Sequence, residues 1–185
     1  MIQQINQKIL SQENQRFILS EKMDHVKKYK KIINELILES FPKLKGKSIN
    51  VQEVDTLKYR AHVMYNFYGF NLLISNQLRN FPLWKIKRIM IHELCHLEIF
   101  LNQGVIKTNL SYLIYLFSKS YRLKVERETN ILMIKKGYGK LVLTTLNENK
   151  RKGLKYSLTE KEIKSLMKNK NHSLQHSFNS SDTST

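Results

Sequence analysis

His92 and His96 stand four residues apart, with Glu93 directly after the first, in the run Ile89-Met90-Ile91-His92-Glu93-Leu94-Cys95-His96-Leu97. On a helix, side chains at i and i+4 lie about 40° apart around the axis, so both imidazoles can reach one ion. The intervening carboxylate flanks that ion and can act on a water bound to it. The setting is apolar: Met90, Leu94, Leu97 and Leu101 form one face, and Ile89, Ile99 and Phe100 surround the histidine side. Burying two histidines and a glutamate there costs on the order of several kcal/mol unless each finds a partner, and one Zn2+ ion is the most economical common partner.

A zinc site that also activates water needs a third protein ligand and one open position. No histidine occurs between His96 and His172, and Glu98 follows too closely on the same helix and points away from His92. The acidic residues of Val125-Glu126-Arg127-Glu128-Thr129-Asn130 remain. Helical projection separates them. Glu126 falls on the stripe of Leu123, Val125, Asn130, Met133 and Ile134, whereas Glu128 falls with Lys124 and Lys135, where charge is solvated. An ion pair with Arg122, one turn earlier, is the competing use for Glu126. Asn130, one turn after Glu126, is placed to accept a hydrogen bond from the free ring N–H of a ligating histidine and so fix its tautomer.

His-Glu-Leu-Cys-His on one helix followed by Glu126-x-x-x-Asn130 on a later one resembles the gluzincins, zinc metallopeptidases whose third ligand is a glutamate, including their compact forms. The resemblance covers roughly residues 49–139. It implies His92, His96 and Glu126 as zinc ligands, Glu93 as general base and peptide-bond hydrolysis as the activity. It also implies that the strand ahead of the active helix, within Phe70–Ser75, binds extended peptide by edge pairing. The family usually has an aspartate where Asn130 stands, and an amide orients a histidine without making it more basic. The SprT-like DNA-associated proteases share a similar helix motif, but their third ligand is a downstream histidine that this chain does not offer. An oxyanion donor is sought among Tyr112, Tyr115, Tyr121 and Tyr138, which the sequence does not separate.

The elements that must position these residues follow from periodicity. From Gln12 to Ser40 the residues Phe17, Met23, Val26, Ile32, Ile33, Leu36 and Ile37 recur at helical spacing, which predicts a long amphipathic helix ending near Phe41-Pro42. Short strands follow: Ile49–Val54, then an alternating run from Tyr59 to Phe67, then Phe70–Ser75, read as a small antiparallel sheet. Helices are expected at Leu83–Asn102, Asn109–Lys119 and Tyr121–Lys136, with Gly104 and Gly137 closing the first and last, and a short one opened by Thr159 with Glu162 in a capping box. Helix, sheet, then helices is an α+β order. Residues 1–168 are read as a single zincin-like domain, and 169–185, rich in Asn, Ser and Thr, as a disordered polar tail.

Thirty-two Lys and Arg against fifteen Asp and Glu leave a net charge of +17 in 185 residues, which invites a polyanion or an anionic surface. The lysines are spread along the chain, as solvated surface charge would be. A lone cysteine, Cys95, excludes an internal disulfide and reads as a small packing residue. The N-terminus lacks the pattern of a secretory signal and no apolar run approaches the roughly 20 residues of a membrane span, so a cytoplasmic location is expected. The partner is expected to be a peptide or protein substrate. Two other classes remain open: a basic nucleic-acid-binding protein with a structural metal site, with Lys27–Lys31 and Lys150-Arg151-Lys152 as contacts, and an inactive peptidase fold serving as a binding module.

Overall fold

A computed structural model describes residues 2–55, 60–66 and 68–179, with side chains described over 20–55, 60–65 and 68–169. The α+β order holds: α1 (Ile2–Ser40), β1 (Ile49–Val54), β2 (Ala61–Asn66), β3 (Gly69–Ser75), α2 (Leu83–Gln103), α3 (Val105–Phe117), α4 (Lys119–Lys135), α5 (Gly139–Arg151) and α6 (Glu160–Asn179). The chain divides into two compact units. One comprises Met1–Met64 and Tyr68–Met90, the other Tyr65–Phe67 and Ile91–Thr185.

In the first unit α1 buries Tyr29, Ile32, Ile33, Leu36 and Ile37, a stripe at i, i+3, i+4, i+7 and i+8, while Lys27, Lys28, Lys30 and Lys31 are exposed. The helix stops where Pro42 forces Phe41 out of helical geometry, to φ −126° and ψ 59°. The sheet departs from the antiparallel expectation. Its order is β1-β3-β2, and β1 pairs with β3 in parallel, Ile49 facing Phe70 and Val54 facing Ser75. The amide of Ser75 donates to the Arg60 carbonyl at 2.9 Å, which closes the β2–β3 hairpin. Alternation within each strand reads burial but not strand order, and so leaves the direction of the β1 pairing open. Tyr59 and Phe67, expected in β2, lie outside the described residues. Because β3 is central, both of its edges are occupied by neighbouring strands, and the edge-pairing role expected for Phe70–Ser75 cannot be carried by this strand. Glu53, fully enclosed beneath the sheet, is neutralised by Arg79, whose Nε donates to it at 3.0 Å.

In the second unit α4, α5 and α6 pack on one another, and α3 packs on α4. Gly104, at φ 78°, and Gly137, at φ 101°, turn the chain out of α2 and α4 as their placement predicts. The helix α3 begins earlier than expected, directly after Gly104. The sequence reading did not include α5. Its buried face is only Gly139, Val142 and Leu146, and Gly139 lies so close to α6 that a Cβ would stand 2.5 Å from Met167 Cγ.

The capping box at the start of α6 is present: Thr159 N and Oγ1 both donate to Glu162 Oε2 at 2.7 Å, and Glu162 N donates back to Thr159 Oγ1 at 3.3 Å. The helix α6 extends to Asn179, into the segment read from the sequence as a polar tail. Residues 180–185 lie outside the described residues. Arg127 of α4 fastens this helix start, with its Nη2 2.6 Å from Glu162 Oε1 and its Nη1 3.1 Å from the Ser157 carbonyl.

The Arg127 guanidinium, followed by the Thr159 backbone and hydroxyl donors, pulls the Glu162 carboxyl down to about 2. The unfolded value is roughly 4.3, so the stabilisation is complete above about pH 5 and is lost as the pH falls toward the folded value. Glu162→Gln therefore lowers the melting temperature at neutral pH, and its deficit relative to the native protein shrinks on acidification from about pH 5 toward 2. Thermal melts of both proteins across that range check this; a deficit that does not change with pH contradicts it.

Candidate metal centre

The second half of α2 is buried nearly all round. Ile91, Leu94, Cys95 and Leu97 are in the core, and so are Glu93, His96 and Glu98. Three buried polar side chains on one apolar helix each require an account. Glu98 has Lys136 Nζ 2.8 Å from its carboxylate, and both side chains are almost enclosed. Cys95 is a core residue, as expected, and burial pushes its thiol far above the ordinary range, leaving it inert.

His96 is held from both sides. Its Nδ1 lies 3.1 Å from Thr129 Oγ1, and that hydroxyl donates its only proton to the Val125 carbonyl at 2.9 Å. The hydroxyl is thus placed to accept from the ring, an arrangement that puts a proton on Nδ1 and, in the neutral ring, leaves a lone pair on Nε2. That Nε2 lies 3.1 Å from His92 Nε2 and 3.6 Å from Glu126 Oε1, while His92 Nε2 lies 3.2 Å from Glu126 Oε2. One ligand atom from each of His92, His96 and Glu126 lies within 4.8 Å of the others.

These separations allow a test of fit. Zinc bonds of about 2.0–2.2 Å to nitrogen and oxygen in a tetrahedron put ligand atoms about 3.3–3.5 Å apart. With each ring nitrogen taken to its nearer carboxylate oxygen the spacings lie about that range, and with one atom from each residue they reach up to 4.8 Å, so two imidazoles and a carboxylate supply a donor set of the right kind around an ion-sized gap. Burial drives the Glu126 carboxyl upward, but hydrogen bonds from His92 and His96, with their charge, outweigh it and hold the group well below the usual carboxylate range. Glu126 is therefore ionised at neutral pH and available as a ligand. Exposure is graded across the cluster: the His96 side chain is 9% exposed, His92 26% and Glu126 34%. His96 forms the floor, and the other two flank an opening to solvent. Glu93 is 8% exposed and makes no hydrogen bond or ion pair among the described residues.

The competing uses of the acidic residues on α4 separate here. Arg122 donates through Nη1 to the Tyr115 and Leu116 carbonyls at 3.1 and 3.0 Å, at the end of α3, while Glu126 faces the histidines. Glu128 is exposed. Asn130 does not have the role expected of it. Its Nδ2 donates to Ser157 Oγ at 3.0 Å and its Oδ1 accepts from the Tyr156 hydroxyl at 2.9 Å, so it fastens the α5–α6 connection. The hydroxyl on His96 is that of Thr129, one residue earlier. Thr129 at i+3 and Asn130 at i+4 share the Glu126 face, and only the setting of the two helices decides between them. Of the four tyrosines considered as oxyanion donors, Tyr112 and Tyr115 stack on each other at 6.4 Å. Tyr156, which was not among them, is tied to α4 directly after Thr129.

The fold and donor set define a protein with a two-histidine, one-glutamate cluster able to hold a metal ion on a helical scaffold. No family model and no curated protein matches the chain. A solved structure that is similar is that of the metallopeptidase zymogen of Methanocaldococcus jannaschii jannalysin, at 26% identity, over 53% of this chain and 89% of that one, with a TM-score of 0.32.

Thr129→Val keeps the shape and removes the hydroxyl, so it weakens zinc affinity by about 10–100-fold, while Thr129→Ser retains most of it. Asn130→Ala, which acts on the α5–α6 connection, lowers the melting temperature and leaves zinc affinity near that of the native protein. Competition against a chromogenic chelator measures all three; equal losses from Thr129→Val and Asn130→Ala would return Asn130 to the His96 ring.

Proposed function

We propose that the chain is a zinc-dependent peptidase of the gluzincin type, hydrolysing peptide bonds in a peptide or protein substrate. The observation that carries this reading is the Glu126 carboxylate set against His92 and His96, with Glu93, which has no hydrogen-bond partner among the described residues, directly after His92 on α2. A cluster needed only for structure has no use for that fourth group.

Two neutral imidazoles and one carboxylate would leave a bound zinc ion at net charge +1, a Lewis acid that acidifies a water and polarises a carbonyl. The chain's own residues do the rest. His96 is locked by Thr129 with its Nε2 lone pair toward the site, and His92 with Glu126 leaves one side open for an extended peptide. Glu93 takes the proton of the attacking water as the new C–O bond forms. When the C–N bond breaks, the same carboxyl delivers that proton to the departing amine, so the group ends as it began.

Purified protein is expected to carry one zinc per chain by elemental analysis. Glu93→Gln retains the metal and loses peptide hydrolysis by about 10²–10⁴-fold, whereas Glu126→Ala loses the metal as well. Chelation abolishes cleavage of a peptide library and added zinc restores it. If zinc is bound and the library stays uncut by the native protein, the catalytic part of the reading is wrong; if no zinc is bound after exposure to it, the whole reading is.

A further inference from the structure

The helix α3 is the most apolar in the second unit, yet it turns its apolar face outward. Ile106, Leu110, Leu113, Ile114 and Phe117 are 79%, 60%, 54%, 46% and 87% exposed. Their spacing places them within an arc of about 100°, one continuous stripe rather than scattered exposure. Thr108, on the opposite side, is buried and donates to the Phe100 carbonyl at 3.3 Å. The far end is held by Arg122 on the Tyr115 and Leu116 carbonyls. The helix is thus fixed at both ends with its apolar stripe presented to solvent, where a patch of this kind marks a binding surface.

The charge around it selects the occupant. Between Glu98 and Glu126 there is no acidic residue, while Lys107, Lys119, Arg122 and Lys124 lie in the helix or just after it, the three lysines exposed. A net charge of +17 opposes the approach of a second copy and attracts an anionic surface. Among the described residues no helix is long and apolar enough to cross a membrane. An apolar stripe on a thirteen-residue helix flanked by lysines suits a helix lying in the plane of the lipid headgroups, with its stripe among the upper acyl carbons.

We infer that α3 docks the protein on the surface of an anionic phospholipid bilayer through Ile106, Leu110, Leu113, Ile114 and Phe117, with the neighbouring lysines on the headgroups. The docking requires neither a metal nor peptidase activity, so it stands or falls apart from the proposed function.

Flotation of the full chain with vesicles tests it, comparing phosphatidylcholine alone with an equal mixture of phosphatidylcholine and phosphatidylglycerol. The native protein floats with the mixed vesicles and not with the neutral ones, and high salt weakens the association. Leu113→Asp with Phe117→Asp lowers vesicle affinity by about tenfold or more, because charge is set into the apolar stripe. Lys107→Gln with Lys124→Gln gives a smaller loss, confined to low salt. Both double variants change exposed positions, and an unchanged melting temperature confirms that they fold. The inference is overturned if the protein floats with neither vesicle, or if the aspartate pair binds as well as the native chain. It is equally overturned if sedimentation without lipid shows a dimer that the aspartate pair disperses, since the stripe then belongs to a second copy.

Discussion

The hydrogen bond between Thr129 and His96 constrains more of this molecule than any other single contact. Thr129 is completely enclosed, and its one hydroxyl proton is already given to the Val125 carbonyl. Turning the ring would break its contact with the Thr129 hydroxyl. The orientation of the His96 ring is therefore set by a side chain of another helix. Because Glu126 stands three residues before Thr129 on the same face of α4, the contact that orients the histidine also delivers the carboxylate to it. Ligand and orienting group come as a unit.

A second tie fixes how α4 lies against α2. Lys136, at the end of α4, sits 2.8 Å from the Glu98 carboxylate, and neither side chain is much exposed. A buried pair of this kind adds little net stability over apolar packing, but it tolerates few alternative arrangements, since losing either partner strands a charge. Lys136 and Thr129 are separated by about two turns of helix, or roughly 10 Å. Contacts at both places resist rotation of α4 about its own axis, the motion that would withdraw Glu126 from the histidines. The polar residues of an otherwise apolar helix thus divide into those that fix the partner helix and those that meet it at the ion-sized gap. Glu93 alone belongs to neither group.

Much of the cluster was legible in the chain because helix geometry is local. Four residues of spacing put His92 and His96 side by side, and the apolar stripe of α4 distinguished Glu126 from Glu128 before any fold was in view. What projection could not resolve was the choice between two neighbours on one face. Thr129 and Asn130 differ by 100° around the helix and both lie near Glu126, so the tilt between helices decides which one meets the ring. Asn130 stands one turn after Glu126, which made it a candidate partner of the ring, but its side chain fastens Tyr156 and Ser157. The same limit explains the sheet. The segment Phe70–Ser75 was legible as a strand, but strand order is a property of three segments together, and β1 joining β3 in parallel is written in none of them alone. With α5, a buried face of three small or medium residues fell below what periodicity can register.

The charge state of the cluster follows from the same geometry. Two imidazole nitrogens and a carboxylate directed at one point repel unless something positive lies among them, and only protons or a metal ion can supply that. The low set point of the Glu126 carboxyl expresses this coupling: it stays ionised against the effect of its own burial because the histidines stand opposite it. Protons and an ion therefore compete for the same lone pairs. Since the unfolded chain has no such arrangement of ligands, whatever free energy the ion contributes at the site is also free energy of folding for α2 and α4. The scaffold that orients His96 need not be rigid without the ion; it need only keep Thr129 and Glu126 on the same face, which a single helix does by construction.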